Sequence, residues 1–233
     1  MPAKHTSYTE LKRPIGRTTL GKLLLAGAIA GLVATVFMYL AREVSEGETA
    51  RIDDRILLAI NHRATTTLDT IVVWATELGG VIAVSTISLI LIALYAFKKQ
   101  WRSAAMIALS IGGAGVLNFG LKLLFGRSRP ELWTHLVTES SYSFPSGHAM
   151  LSSALALALV SIFWGTKYRV AVAIVAALYI AMIGFTRLYL GVHYPSDIIA
   201  GWCASFAWVI IVTSIAHTFF TNRQERVDNT TKN

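Results

Sequence analysis

Apolar residues in this chain fall in long blocks, not in short alternating runs. Leu20 to Leu40 is interrupted only by Lys22, and about 20 predominantly apolar residues suffice for a helix to cross a bilayer. Further blocks run from Gly79 to Phe97, Ala104 to Phe125, His148 to Trp164, Val170 to Thr186 and Ile198 to Phe220. Lys98, Lys99 and Arg102 close the second block, and Lys167 and Arg169 form a tight basic turn after the fourth. Residues 42–78 follow another pattern. There Ile52, Ile56, Leu57 and Ile60, then Leu68, Ile71, Val72 and Leu78, recur at helical spacing among seven acids from Glu43 to Glu77. That is the pattern of amphipathic helices lying on a membrane face or against a bundle. The expectation is an all-α, polytopic membrane protein with six transmembrane helices and short amphipathic helices after the first span. One domain, residues 20–220, lies between a basic tail at 1–19 and a polar tail at 221–233. The first block lacks the short apolar core and small-residue cleavage site of a signal peptide, so it reads as a retained span.

Composition agrees with this pattern. Of 233 residues, 54% are hydrophobic and 15% charged, against about 25% charged in soluble domains. The formal net charge of +8 would point to nucleic acid in a soluble protein, but here its position along the chain matters more. Six spans put both termini on one side, and the segments on that side hold 13 of the 21 Lys and Arg with only Glu10, Glu225 and Asp228 as acids. The positive-inside rule therefore puts the termini in the cytoplasm. The outer ends of the third to sixth spans then share the opposite face, away from the cytoplasm. The bilayer is an expected partner and nucleic acid is not; the oligomeric state is open. Cys203, the one cysteine, excludes an intramolecular disulfide and leaves no multi-cysteine metal site.

Three polar clusters break the apolar pattern, all at that outer face. The first holds Lys122, Arg127 and Arg129-Pro130; the second is Pro145-Ser146-Gly147-His148; the third holds Arg187 and His193-Tyr194-Pro195-Ser196-Asp197. Charged side chains at span ends often only snorkel to the headgroups. Four cations converging from separate segments repel one another unless an anion sits between them, and Arg forks match phosphate oxygens. Pro145 to His148 opens a span with Ser143 as the expected N-cap, which would leave the Ser146 and Gly147 N–H groups at the positive end of a helix. Asp197 near His193 can fix the imidazole tautomer and leave the other nitrogen free to attack. His148, His193 and Asp197 could instead ligate zinc, but the four cations disfavour a divalent ion and already supply the charge it would bring. The residues alone do not choose which histidine attacks.

The spacing Lys122-x6-Arg129-Pro130, Pro145-Ser146-Gly147-His148 and Arg187-x5-His193-x3-Asp197 resembles the three-part signature of the type 2 phosphatidic acid phosphatase family, in its membrane-bound bacterial branch. The signature covers about a third of the chain, and Thr186 stands where that family usually has Ser. The resemblance implies that His193 is the nucleophile and becomes phosphohistidine. Asp197 would orient it, His148 would protonate the leaving oxygen, and Lys122, Arg129, Ser146, Gly147 and Arg187 would hold the phosphoryl group. No metal or other cofactor is expected. Arg127 lies outside the signature, where a second phosphate or a headgroup contact would suit it. The expected activity is hydrolysis of a lipid phosphomonoester or diphosphate, of the undecaprenyl diphosphate, phosphatidylglycerol phosphate or phosphatidic acid type. The alternatives are phosphoryl transfer from a lipid diphosphate to another lipid such as lipid A, and an anion-binding transporter without chemistry.

Overall fold

The computed structural model describes residues 17–230. Among them the chain forms eight α-helices and no strand: α1 (Arg17–Ser45), α2 (Ala50–Asn61), α3 (Thr66–Glu77), α4 (Val81–Phe97), α5 (Trp101–Phe125), α6 (Gly147–Phe163), α7 (Arg169–Tyr189) and α8 (Pro195–Thr230). Most of the basic tail expected at 1–19 lies outside the described residues, as do positions 231–233. At the other end α8 stays helical to Thr230, past the end expected at Phe220.

The span count differs from the expected six. Four helices are long and apolar enough to cross a bilayer: α1 from Leu23 to Ser45, α5, α7, and α8 from Pro195 to Ala216. Helices α3 and α4 qualify together but meet at a 42° bend, and α6 is a shorter apolar helix. The discrepancy comes from the block ends. Gly79 and Gly80 form an elbow between α3 and α4 instead of starting a span, and a Cβ on Gly79 would lie 3.0 Å from Ile183 Cδ1 of α7. Helices α4 and α6 each contain 17 residues, about 25 Å of helix against about 30 Å of hydrocarbon. The stretch in which one or two short amphipathic helices are expected holds α2 and α3. Both rest against α7, to which Tyr189 ties α3 through its hydroxyl, donating to Asp69 Oδ1 at 2.7 Å.

Helix α6 is the packing centre, with α5, α7 and α8 around it, while α1 flanks α8. Six of its nine buried residues are small, Ala149, Ser152, Ser153, Ala154, Ala156 and Ala158, beside Met150, Leu151 and Leu155, and small residues let backbones approach closely. The Ser153 hydroxyl donates to the Ala149 carbonyl at 2.6 Å, and Ser205 of α8 reaches the Met150 carbonyl at 2.5 Å, so these polar atoms carry no desolvation penalty. Where α8 passes the start of α6, Gly201 is required: a Cβ there would sit 2.9 Å from the Ser146 carbonyl oxygen. Phe37 of α1, Phe125 of α5 and Phe144 of the α5–α6 loop stack with centroids 5.0–6.4 Å apart, anchoring the end of that loop to the bundle. Large apolar side chains ring the outside, with Ile82 82% and Phe97 85% exposed, while Arg187 and His193 are each 1% exposed. Apolar girth with buried charge at one end is the arrangement a hydrocarbon solvent demands, and the chain is an integral membrane protein.

Candidate active site

Four helix ends meet where the charges are buried. The C-terminal ends of α5 and α7 bring Lys122 and Arg187, each in a last turn where a cation offsets the helix dipole. The N-terminal ends of α6 and α8 bring Gly147, His148 and Asp197 with their positive dipole ends. Residues 126–146 fold across this end without regular structure. Gly126 closes α5 in the left-handed region (φ 56°), and Gly191 does the same beyond α7 (φ 69°). At Gly191 the Trp133 indole lies so near that a Cβ would come within 2.6 Å of its Cε2, so the loop is pinned to the turn that carries His193.

His193 is held from both sides of its ring. Arg129 Nη1 lies 3.1 Å from Nε2. A guanidinium only donates, so Nε2 must accept and the ring proton must reside on Nδ1. Nδ1 faces Asp197 Oδ2 and Ser143 Oγ, each at 3.3 Å. Ser143 in turn donates to Asp197 Oδ2 at 2.5 Å, and the Tyr194 N–H donates to the same oxygen at 2.9 Å. Burial, then the Arg129, Arg187 and Lys122 cations, push the His193 imidazole well below its ordinary pKa, so the ring is neutral in the free protein. The result is an oriented imidazole with its Nε2 lone pair aimed at the cations, the form required of a nitrogen nucleophile.

Lys122, Arg129 and Arg187 surround that lone pair. Lys122 is 8% exposed and donates to the Tyr142 carbonyl. Arg129 is fixed through Nε to the Ser141 carbonyl (2.9 Å) and through Nη1 to the Val192 carbonyl (2.8 Å). Arg187 donates from Nη1 to Thr76 Oγ1 at 2.9 Å, while its buried Nε has no partner among the described residues. A buried unpaired guanidinium N–H is costly, and an anion oxygen would satisfy it. In the unliganded protein an acid already bridges the cations: Glu139 pairs with Arg187 Nη2 through one oxygen, and its other oxygen lies 3.6 Å from Arg129 Nη2. Burial alone would raise the Glu139 carboxyl, but Arg187 and then Arg129 outweigh it and hold the group below its ordinary value. His148 stands in the first turn of α6 beside Gly80 of the α3–α4 elbow, within electrostatic reach of Glu139 and Arg187.

The three sequence clusters therefore converge, with several reassignments. Ser143 is not the N-cap of α6. Ser146 is, accepting from the Ala149 N–H at 3.4 Å, and Ser143 serves the His193–Asp197 pair. The Ser146 N–H, expected to face an anion, donates to the Asp197 carbonyl at 3.1 Å. Helix geometry leaves the Gly147 and His148 N–H groups without intrahelical acceptors, and Gly147 faces Lys122 and Asn118. Arg127 turns away from the cradle toward Asp197 and Asp53. Glu139, Thr76 and Asp53 were not singled out by motif. An acid within a cation-rich stretch was the only available signal for Glu139, and Asp53 looked like one more acid on an amphipathic face. Among the described residues no three His, Cys, Asp or Glu side chains converge as metal ligands.

A family model, described as the PAP2 superfamily, matches residues 103–221, from early α5 into α8. A phosphatidylglycerophosphatase B of Bacillus subtilis is 34% identical over 114 residues, 46% of this chain and 55% of that protein. An undecaprenyl-diphosphatase of Sulfolobus acidocaldarius is 29% identical over 156 residues, 64% of this chain and 71% of its own length. Thus the match spans about half the length of the Bacillus relative. The crystal structure of a transmembrane PAP2 type phosphatidylglycerolphosphate phosphatase from Bacillus subtilis superposes with a TM-score of 0.76 at 25% identity, covering 81% of this chain and 96% of that one. The matched segment holds all three polar clusters, and the chain belongs to the PAP2 superfamily.

Proposed function

We propose that the chain is a metal-independent lipid phosphatase that works through a phosphohistidine. One observation carries this reading: a neutral, buried His193 whose Nε2 accepts from Arg129 at 3.1 Å while Nδ1 faces Asp197. Nε2 attacks phosphorus, the bond from phosphorus to the lipid oxygen breaks, and His148 gives that oxygen its proton. Water then enters with His148 as base and releases inorganic phosphate. Lys122, Arg129, Arg187 and the Gly147 end of α6 hold the phosphoryl oxygens, with Ser146 shaping the turn. Arrayed cations of this kind act on the charge that builds in phosphoryl transfer. The relatives' names point to lipid phosphates, including phosphatidylglycerophosphate and undecaprenyl diphosphate. Counting α4 and α6 as short spans gives six, and the basic turns after them favour a site on the outer face of the inner membrane with cytoplasmic termini.

Purified protein given a panel of lipid mono- and diphosphates, in excess chelator, is expected to release inorganic phosphate. Release that stops with chelator and returns with Zn²⁺ or Mg²⁺ would sink the metal-independent reading. Label moving to an added acceptor lipid, with no phosphate freed, would make the enzyme a phosphotransferase. No turnover on any substrate, with the protein folded, would leave an anion-binding transporter.

A second expectation concerns Glu139, whose carboxylate lies where a phosphate would bridge Arg187 and Arg129. Glu139→Gln removes that competing charge. Inorganic phosphate should then inhibit about tenfold more tightly, the scale of one charge-assisted hydrogen bond. Weaker inhibition would mean that Glu139 holds the cations in place for substrate instead of occupying its position.

A further inference from the structure

Of the cations in the first cluster, Arg127 alone turns its back on the cradle. Its Nη1 donates to Asp197 Oδ1 at 2.6 Å and Ser196 Oγ at 2.7 Å; its Nη2 donates to Asp53 Oδ2 at 2.9 Å. The guanidinium lies 4.0 Å over the Tyr194 ring. Asp53, from α2, is 2% exposed. Its Oδ1 accepts from the Ser196 N–H at 3.0 Å and its Oδ2 from Ser196 Oγ at 2.5 Å. Ser196 stands in the first turn of α8, where the N–H groups have no intrahelical acceptor. Asp53 therefore caps α8 from another helix and, through Arg127, reaches the carboxylate that faces His193.

We infer that Asp53 is a positioning residue for the His193–Asp197 pair, acting through Arg127. This rests on the phosphatase reading above. Asp197 has two jobs for two oxygens: Oδ2 collects Ser143, the Tyr194 N–H and His193, while Oδ1 is held by Arg127. Arg127 stays at Oδ1 because Asp53 balances its charge on the far side. Without that acid the guanidinium is drawn toward the anion in the cradle, and Asp197 is free to rotate about the bond that sets its angle to the imidazole. A buried carboxylate on a short helix whose Ile52 and Ile56 are exposed is expensive unless it is paired and hydrogen-bonded, and Asp53 is both.

The test is steady-state kinetics on the full-length protein, once wild-type phosphate release has been measured; absence of wild-type release would count against the phosphatase reading itself. Asp53→Asn keeps the shape and, at its one carbonyl oxygen, the Ser196 N–H contact, but its amide N–H₂ cannot accept from Ser196 Oγ or Arg127 Nη2, so the charge and the acceptor that hold Arg127 are lost. It should lower kcat by about 10–100-fold, the range for a partner that orients a reacting group at one remove, with KM and the inhibition constant of inorganic phosphate within about twofold of wild type. Losing Arg127 from Asp197 strengthens the carboxylate's pull on the imidazole proton. His193 is also faced by Arg129, Arg187, Lys122 and His148, all left in place. The acid limb of kcat/KM should therefore move to higher pH in Asp53→Asn, and in the same direction in Arg127→Met. If Asp53→Asn fails to fold, Arg127→Lys, which keeps the charge but not the fork that spans both acids, carries the same expectation for kcat. A kcat per folded protein within about twofold of wild type, an unmoved acid limb, or a loss confined to KM would overturn the inference.

Discussion

His193→Ala is expected to release no phosphate above background, a loss of at least about 10⁴-fold in kcat, while the protein still folds and still binds inorganic phosphate. The size follows from what is removed: a nucleophile has no substitute, and residual turnover comes only from binding and charge stabilisation. Folding should survive although the buried imidazole contacts Asp197 at the start of α8 and Arg129 and Ser143 of the α5–α6 loop. Asp197 keeps Arg127, Ser143 and the Tyr194 N–H as partners when the ring is gone. Wild-type protein quenched during turnover in alkaline denaturant should carry base-stable, acid-labile phosphate on His193, and the variant none. Substantial turnover by the variant would remove His193 as nucleophile and leave His148 as the remaining candidate. The same geometry gives a pH signature. Burial and the neighbouring cations depress the ring's pKa, so kcat/KM should stay level as pH falls through about 6.5, where an ordinary imidazole would already be protonating.

Arg187→Lys costs about 10²–10³ in kcat/KM even though charge is conserved. Removing one pre-placed donor to a developing charge has that magnitude, and Lys cannot reproduce the fork. Arg187 divides its donors between Thr76, Glu139 and a buried Nε that has no acceptor among the described residues. That last N–H is the reason to expect a catalytic rather than a packing loss. Kinetics on a lipid phosphate, with a thermal unfolding measurement on the same preparation, separates the two: a large activity loss with a small change in midpoint supports the cradle. Wild-type turnover by Arg187→Lys would show that a point charge suffices there.

The helical class, the membrane setting and the three clusters are legible in the sequence because they depend on local properties: block length, 3.6-residue periodicity and residue type. The expected count of six spans was less secure for the same reason. Hydropathy reports where apolar residues are, not where a helix begins. The Gly79–Gly80 elbow trims α4 to 17 residues, while α6, capped at Ser146, is as long as its 17-residue block from His148 to Trp164. Ser143, the cap expected from sequence, is displaced by Ser146, because the backbone and not residue type sets where α6 begins.

By itself the sequence determined that this chain folds as membrane helices, carries Lys122, Arg129 and Arg187 toward one face, and sets His193 four residues before Asp197. His193 lies just ahead of α8, and the turn into that helix brings its Nδ1 to 3.3 Å from Asp197 Oδ2. Tertiary structure alone decided which acids answer which cations. Glu139 meets Arg187 across 48 positions, and Asp53 meets Ser196 across 143. No periodicity encodes such pairs, because they form only when α2, the α5–α6 loop and the start of α8 are packed together. Their physical cause is burial: in an interior that excludes water each charge must find a partner, and the fold brought Asp53 and Glu139 within reach.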